Sequence, residues 1–153
     1  MKTNTPAGEQ PGVAALALRL VDRLDAFPYA LLALPLRAAL ATVFWNSAMA
    51  KLANWDTTLS LFEDEYQLPL LPPELAAQLA LSVELSMPVL LVLGLATRPA
   101  ALVLLGMTSV IQFLVYPQAW PTHIQWVAML LVLLFRGPGR FSLDHLVAER
   151  LRR

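Results

Sequence analysis

The chain has 153 residues, of which 58% are hydrophobic and only 14% are charged, and its formal net charge is zero. A soluble domain of this length has too little interior to bury so much apolar surface, so the composition predicts contact with a lipid bilayer. The balanced charge, with no basic stripe, gives no indication of nucleic-acid binding, and the absence of cysteine excludes disulfides, iron–sulfur clusters and thiol-attached haem.

Residues 1–28 are predicted to form a tail and an amphipathic segment. Residues 1–11 have the composition of a disordered tail. The apolar stretch from Val13 to Leu20 is short and is interrupted by Arg19, so it does not have the pattern of a cleaved signal peptide. It is typical of a helix that lies on the membrane surface.

Four apolar runs follow, and each predicts a membrane-spanning helix, because about 20 helical residues cross a hydrocarbon core roughly 30 Å thick. None of the runs alternates with a period of two, and their leucine and alanine content favours helix. The sequence therefore predicts an all-α, four-helix transmembrane bundle over residues 29–136. The four runs are residues 29–52, 72–95, 98–116 and 122–135.

The fourth run is short for a membrane span. It needs Trp120 and the chain toward Arg136 to complete the thickness of the bilayer, or local thinning of the bilayer. A re-entrant segment is the alternative. The short connections at residues 96–98 and 117–121 make successive helices antiparallel neighbours.

Lysine and arginine residues beside the spans lie almost entirely on one side of the predicted membrane. Lys51, at the far end of the first span, is the exception. By the positive-inside rule, both termini face the cytoplasm and residues 137–153 form a basic cytoplasmic tail. The basic residues on that side are Lys2, Arg19, Arg23, Arg98, Arg136, Arg140, Arg150, Arg152 and Arg153.

The loop of residues 53–71 then faces outward, and its pattern predicts a short helix on the membrane surface. Its acids are Asp56, Glu63, Asp64 and Glu65. A solvated acidic face is the ordinary interpretation, and a docking patch for a cationic or metal-bearing partner is the sharper one. No metal site is predicted, because the loop contains neither histidine nor cysteine.

Arg37 and Glu84 are the charged residues that lie away from the ends of the predicted spans, and a charge at the bilayer centre costs about 2.5–3.5 kcal/mol. Counted from the ends of their runs, they lie at similar depths, so the sequence predicts a buried polar pair. The pair would serve either to fix the packing of the two helices or to carry function, and Arg37 could instead extend toward the surface. Pro88 also removes the N–H that would bond the carbonyl of Glu84, which leaves an acceptor for a cation, a proton or a ligand hydroxyl unless a neighbouring side chain satisfies it.

Polar and aromatic side chains on the other helices suggest a ligand pocket, for which a quinone is the candidate. No catalytic residue is assigned. His123 and His145 lie on opposite sides of the predicted membrane, so they cannot ligate one haem within a single subunit. The candidate pocket residues are Trp45, Lys51, Gln112, Tyr116 and His123.

Several of these residues, together with two turn motifs, resemble the DoxX family of four-helix bacterial membrane proteins. The resemblance covers about residues 30–147. Many members carry glycine around Ala48 and Ala50, where this chain has alanine. The resemblance rests on Arg37, Phe44-Trp45, Lys51-Leu52, Glu84, Gly-Leu-Ala-Thr-Arg at 94–98 and Gly-Pro-Gly-Arg-Phe-Ser-Leu-Asp at 137–144.

The resemblance implies a multi-pass protein of the bacterial inner membrane. The loop of residues 55–74 looks like a subgroup encoded beside small secreted metal-binding peptides. This implies an accessory protein, without catalysis of its own, that supports a secreted-peptide or metal and redox stress system together with a membrane or exported partner. The alternative is a quinone-interacting subunit of a membrane oxidoreductase. A transporter is a third interpretation, which would require a homodimer, because four helices enclose little volume.

Overall fold

The computed structural model describes residues 12–152, and every regular element in this range is helical. Four helices are long and apolar enough to cross a membrane, which confirms the predicted all-α architecture. The tail predicted for residues 1–11 lies outside the described residues. The helices are α1 (Val13–Asp25), α2 (Tyr29–Ala53), α3 (Trp55–Ser60), α4 (Pro73–Leu93), α5 (Thr97–Val110), α6 (Trp120–Arg136) and α7 (Leu143–Leu151).

Two π-helical turns extend these elements. Leu61–Tyr66 continues α3 toward α4, and Ile111–Val115 continues α5 to its end. The 3-10 turn Pro117–Ala119 leads into α6 and lengthens the fourth span to Pro117–Arg136. This length of 20 residues corresponds to about 30 Å, which is sufficient to cross the hydrocarbon core without a re-entrant segment.

The four spans α2, α4, α5 and α6 pack around a small interior. Leu40, Phe44, Leu91 and Leu104 are almost fully buried there. Ala77, which is also fully buried, is small enough for neighbouring helices to approach closely. In the most apolar 18-residue stretch of each span, between 17% and 33% of the residues are buried. Most of the apolar surface therefore faces outward, as expected for helices in lipid.

Residues 137–144, which we call the clasp, close the end of the bundle that carries α1 and α7. Arg37 is 3% exposed and donates hydrogen bonds from α2 to the carbonyls of Leu91 and Val92, at the end of α4. It also donates to the carbonyl of Phe141 in the clasp, at 2.7 Å. The last carbonyls of a helix have no intrahelical donor and form the negative end of its dipole, so they suit a buried guanidinium.

The predicted ion pair between Arg37 and Glu84 is not formed, and this prediction was wrong. The guanidinium of Arg37 bonds the carbonyl of Leu91. Leu91 lies seven residues after Glu84, or roughly 10 Å farther along the helix at about 1.5 Å per residue. Counting from the ends of the apolar runs overlooked the reach of the arginine side chain toward the free carbonyls. Glu84 instead contacts Lys51, as described below.

The clasp also caps the N-terminus of α5. The carboxylate of Asp144 accepts hydrogen bonds from the backbone N–H groups of Ala96, at 2.7 Å, and Thr97, at 2.9 Å. These donors lie at the N-terminus of α5, where a negative charge is favourable. The two turn motifs at residues 94–98 and 137–144 are therefore parts of one contact, in which the second motif caps the helix that follows the first.

Gly94 is required where α4 ends. It has a φ of +64°, and an added Cβ would lie 2.5 Å from the Cβ of Ser142 and 2.8 Å from an Arg37 nitrogen. Gly94→Ala should lower the free energy of unfolding by roughly 2 kcal/mol or more, since left-handed backbone and overpacking each cost about 1–3 kcal/mol. Thermal unfolding in detergent measures the change.

Gly106→Ala is the matched control, because an added Cβ at this exposed position of α5 meets no atom within 4 Å. Alanine favours helix over glycine by up to about 1 kcal/mol, so the control should be neutral or slightly stabilising. Equal unfolding temperatures for the two variants would contradict the role given to Gly94.

Candidate functional site

A cavity of about 490 Å³ lies at the end of the bundle opposite the clasp. All four spans and the turn Leu61–Tyr66 contribute to its walls. Most of its lining is apolar, including Phe44 from α2 and Trp126 from α6, whose rings contact edge to face at 5.6 Å. Small-molecule sites typically have this size and this apolar character, with a few polar groups that orient the ligand.

Lys51 and Glu84 form an ion pair in the wall of this cavity. The Nζ atom of Lys51 lies 2.8 Å from Oε1 of Glu84, and the side chains are 16% and 2% exposed. The hydroxyl of Ser47 donates to the same carboxylate oxygen at 2.9 Å and accepts a bond from Lys51 at 2.9 Å. A charge buried in lipid needs such partners, so this triad explains how Glu84 is tolerated within α4.

The second carboxylate oxygen of Glu84, Oε2, is buried and has no hydrogen-bond partner among residues 12–152. An unpaired buried acceptor costs about 1–3 kcal/mol, and more when it is charged. Pro88, one turn later, has no N–H to offer the carbonyl of Glu84. Within the described residues, Glu84 therefore contributes one unpaired carboxylate oxygen to the wall of the cavity.

His123 supplies a second polar group from α6. Its Nδ1 lies 2.7 Å from Oε1 of Gln112, and Nε2 of Gln112 donates to the carbonyl of Pro117 at 2.9 Å. Because the amide nitrogen of Gln112 is already the donor in the second bond, its oxygen accepts from Nδ1–H of the imidazole. This assignment follows from the hydrogen-bond network. In the neutral ring, Nε2 is then left as an acceptor.

Two π-helical turns shape the outer rim of the cavity. In each, an N–H bonds the carbonyl five residues earlier: Gln67 to Phe62 at 3.2 Å, and Tyr116 to Ile111 at 2.7 Å. Such turns are frequent at functional sites, because the extra residue changes which side chains face the interior. Here they bring the rings of Tyr66 and Tyr116 together at 5.6 Å.

Tyr116 connects this rim to the surface segment. Its hydroxyl donates to a carboxylate oxygen of Glu65 at 2.8 Å and lies 3.4 Å from the hydroxyl of Tyr66. The hydrogen bond to Tyr66, burial and the bond to Glu65, in that order, raise the pKa of Tyr116. A tyrosine hydroxyl is protonated at physiological pH even at its ordinary pKa of about 10, so the Tyr116 hydroxyl is a donor there.

The structure brings together most of the candidate pocket residues. Lys51, Tyr116 and His123 line the cavity. Gln112 does not line it, but its side chain bonds to His123. Trp45 does not belong to the site: it is 41% exposed and borders a separate shallow groove with Pro88. The adjacent residue Phe44 faces the interior, so Trp45 is rotated by about 100° toward lipid.

The sequence did not predict Ser47 as a residue of the cavity. Glu84 was predicted as a member of the buried polar pair and not as a cavity residue. The spacing of Ser47 and Lys51, one helical turn apart, is a signal that could have linked Ser47 to the site.

The acids of the surface segment take two different roles. All four acids are exposed, and Glu65 also accepts a hydrogen bond from Tyr116. The side chain of Asn54 caps α3 by accepting from the N–H of Thr57 at 3.0 Å. No group of three or more His, Cys, Asp or Glu residues with the arrangement of a metal site occurs in residues 12–152.

Comparisons with known proteins identify relatives of the chain. The model of the family described as DoxX matches residues 32–117. A protein of Haemophilus influenzae, described as uncharacterized, is 30% identical over 124 residues, which cover 74% of this chain and 82% of that protein. No solved structure matches the chain at a significant level. The family match includes the Lys51–Glu84 pair, whereas His123 and the clasp lie beyond it.

A double-mutant cycle tests the Lys51–Glu84 pair. Lys51→Met and Glu84→Gln alone should each lower the free energy of unfolding by about 3 kcal/mol, because each leaves a buried partner uncompensated. The double variant should recover part of this loss, with a coupling of about 0.5–3 kcal/mol in thermal or denaturant unfolding.

Glu149→Gln is the matched control, since Glu149 pairs with His145 at 3.3 Å on the surface and its side chain is 56% exposed. It should change stability by less than about 1 kcal/mol. Strict additivity of Lys51→Met and Glu84→Gln would show that the two residues are not coupled.

Proposed function

Because this chain is a member of the DoxX family of membrane proteins, we propose that it binds a small lipophilic ligand of the quinone or hydroquinone class between its four spans. The observation that carries the proposal is that Oε2 of Glu84, buried beside Lys51 in the wall of a mostly apolar cavity, has no hydrogen-bond partner among the described residues. Such a ligand enters from lipid, and the proposal concerns its binding.

The Lys51–Glu84 pair offers a donor and an acceptor next to each other. The ammonium of Lys51 has three hydrogens, of which one bonds Glu84 and one bonds Ser47. The third is available for a ligand carbonyl, and Oε2 of Glu84 is available for a ligand hydroxyl. A ring that carries oxygen substituents matches this combination, whereas a plain hydrocarbon chain leaves both groups unsatisfied.

The rest of the cavity fits a flat ring with an apolar substituent. Phe44, Phe62 and Trp126 provide aromatic surface. His123 and Tyr116 add an acceptor and a hydroxyl in other parts of the wall. The volume of about 490 Å³ lies within the range of about 300–1,000 Å³ that is typical of small-molecule sites.

Binding of a short-chain quinone to the purified protein in nanodiscs tests the proposal. Glu84→Gln should weaken binding by at least about tenfold, because a hydrogen bond to a charged group contributes about 1.5–3 kcal/mol. Trp45→Phe is the control outside the cavity and should leave the affinity unchanged.

Ala80→Leu separates loss of the site from loss of the fold. Ala80 lines the cavity and contributes no polar side chain, so a larger residue there fills the cavity without breaking the ion pair. It should abolish binding while the thermal unfolding temperature is maintained. Absence of quinone binding to the unmodified protein, or wild-type affinity in both Glu84→Gln and Ala80→Leu, would reject the proposal.

A second candidate function is the accessory role for an exported partner, with both termini in the cytoplasm of a bacterial cell. The exposed acids Asp56, Glu63 and Asp64 favour it, since they give the surface segment a negative face for a cationic or metal-bearing peptide. Crosslinking from this segment in intact cells should capture an exported protein. Replacing the three acids with their amides should abolish that capture, and unchanged capture would contradict the acidic face as the docking site.

A further inference from the structure

A second cavity, of about 640 Å³, lies at the clasp end of the bundle and has no part in the proposed quinone site. It is bordered by the junction of α1 and α2, the start of α5, the end of α6, the clasp and α7. Three arginines reach it from different parts of the chain: Arg98, Arg136 and Arg140.

These arginines have no acidic partner among residues 12–152. Arg98 makes one long bond, of 3.4 Å, to the carbonyl of Phe135, and the guanidinium of Arg136 lies 5.0 Å from the centre of the Tyr29 ring. Among the described residues, Asp144 is the only acid in the lining, and both its oxygens already accept N–H bonds from the start of α5.

Arg98, Arg136 and Arg140 are all solvent-exposed, and together they concentrate positive charge around one cavity, which favours an anion there. The planar, forked donors of arginine match the oxygens of a phosphate group in geometry and in charge. We infer that this cavity binds a phosphate group, carried by an anionic lipid or supplied as free phosphate.

The position of the cavity favours the lipid as the source. It lies where α2 begins and α6 ends, at the level of the membrane surface when the spans are in lipid. The adjacent helix α1 has no buried residue within the described structure, and it exposes Leu16, Leu20 and Leu24 along one side. Such a helix lies in the membrane interface, beside the lipid headgroups.

Lipid exchange followed by native mass spectrometry tests this site. Purified protein is equilibrated with phosphatidylglycerol and, separately, with phosphatidylcholine, and bound lipids are counted. The unmodified protein should retain phosphatidylglycerol selectively. Arg98→Gln/Arg140→Gln should weaken this retention by at least about tenfold, because each arginine contributes a charge-assisted contact to phosphate.

Arg150→Gln/Arg152→Gln is the matched control, since it also removes two positive charges and neither residue lines the cavity. It should retain the lipid. Arg140→Gln alone guards against misfolding, because no hydrogen bond or ion pair of the Arg140 side chain is present in the described part of the chain.

Inorganic phosphate distinguishes the two sources. A rise in unfolding temperature with phosphatidylglycerol, and none with inorganic phosphate at matched ionic strength, identifies a lipid site. A rise with inorganic phosphate that the Arg98→Gln/Arg140→Gln variant loses identifies a site for a soluble phosphate. No selectivity for either, or equal loss in the Arg150→Gln/Arg152→Gln control, overturns the inference. None of these outcomes depends on whether the other cavity binds a quinone.

Discussion

A guanidinium within an apolar bundle must have its donors satisfied by the protein, since lipid offers no water to do so. Arg37 meets this requirement with the free carbonyls at the end of α4 and with the clasp. The same contact fixes where α4 stops, at Gly94, and positions Asp144 to cap α5. The connection between the second and third spans and the closed end of the bundle therefore both depend on this one buried residue.

The satisfaction of Arg37 at the clasp has a consequence at the other end of the bundle. Because the guanidinium of Arg37 bonds carbonyl groups there, it does not pair with Glu84. Glu84 pairs instead with Lys51, near the end of α2. Its other carboxylate oxygen, Oε2, has no hydrogen-bond partner within residues 12–152. The two charges that the sequence predicted as one pair are thus divided between the two ends of the bundle.

The sequence predicted the spans well, because length and apolar composition determine whether a helix can cross a bilayer. It predicted Lys51, Tyr116 and His123 as pocket residues because polar side chains on apolar helices are rare and need a partner. It failed on the partner of Arg37, since spacing along a helix does not reveal how far a long side chain reaches. It also could not place the π-helical turn at Ile111–Val115, which adds a residue to a helical repeat and changes the orientation of Tyr116 relative to Gln112.

The clasp has a further consequence for the biogenesis of the protein. Residues 137–144 follow all four spans, so they leave the ribosome after α2, α4, α5 and α6 have been synthesised. Until then, Arg37 lacks the carbonyl of Phe141, and the first N–H groups of α5 lack the carboxylate of Asp144. The contacts that close this end of the bundle therefore form only after the four spans have been synthesised.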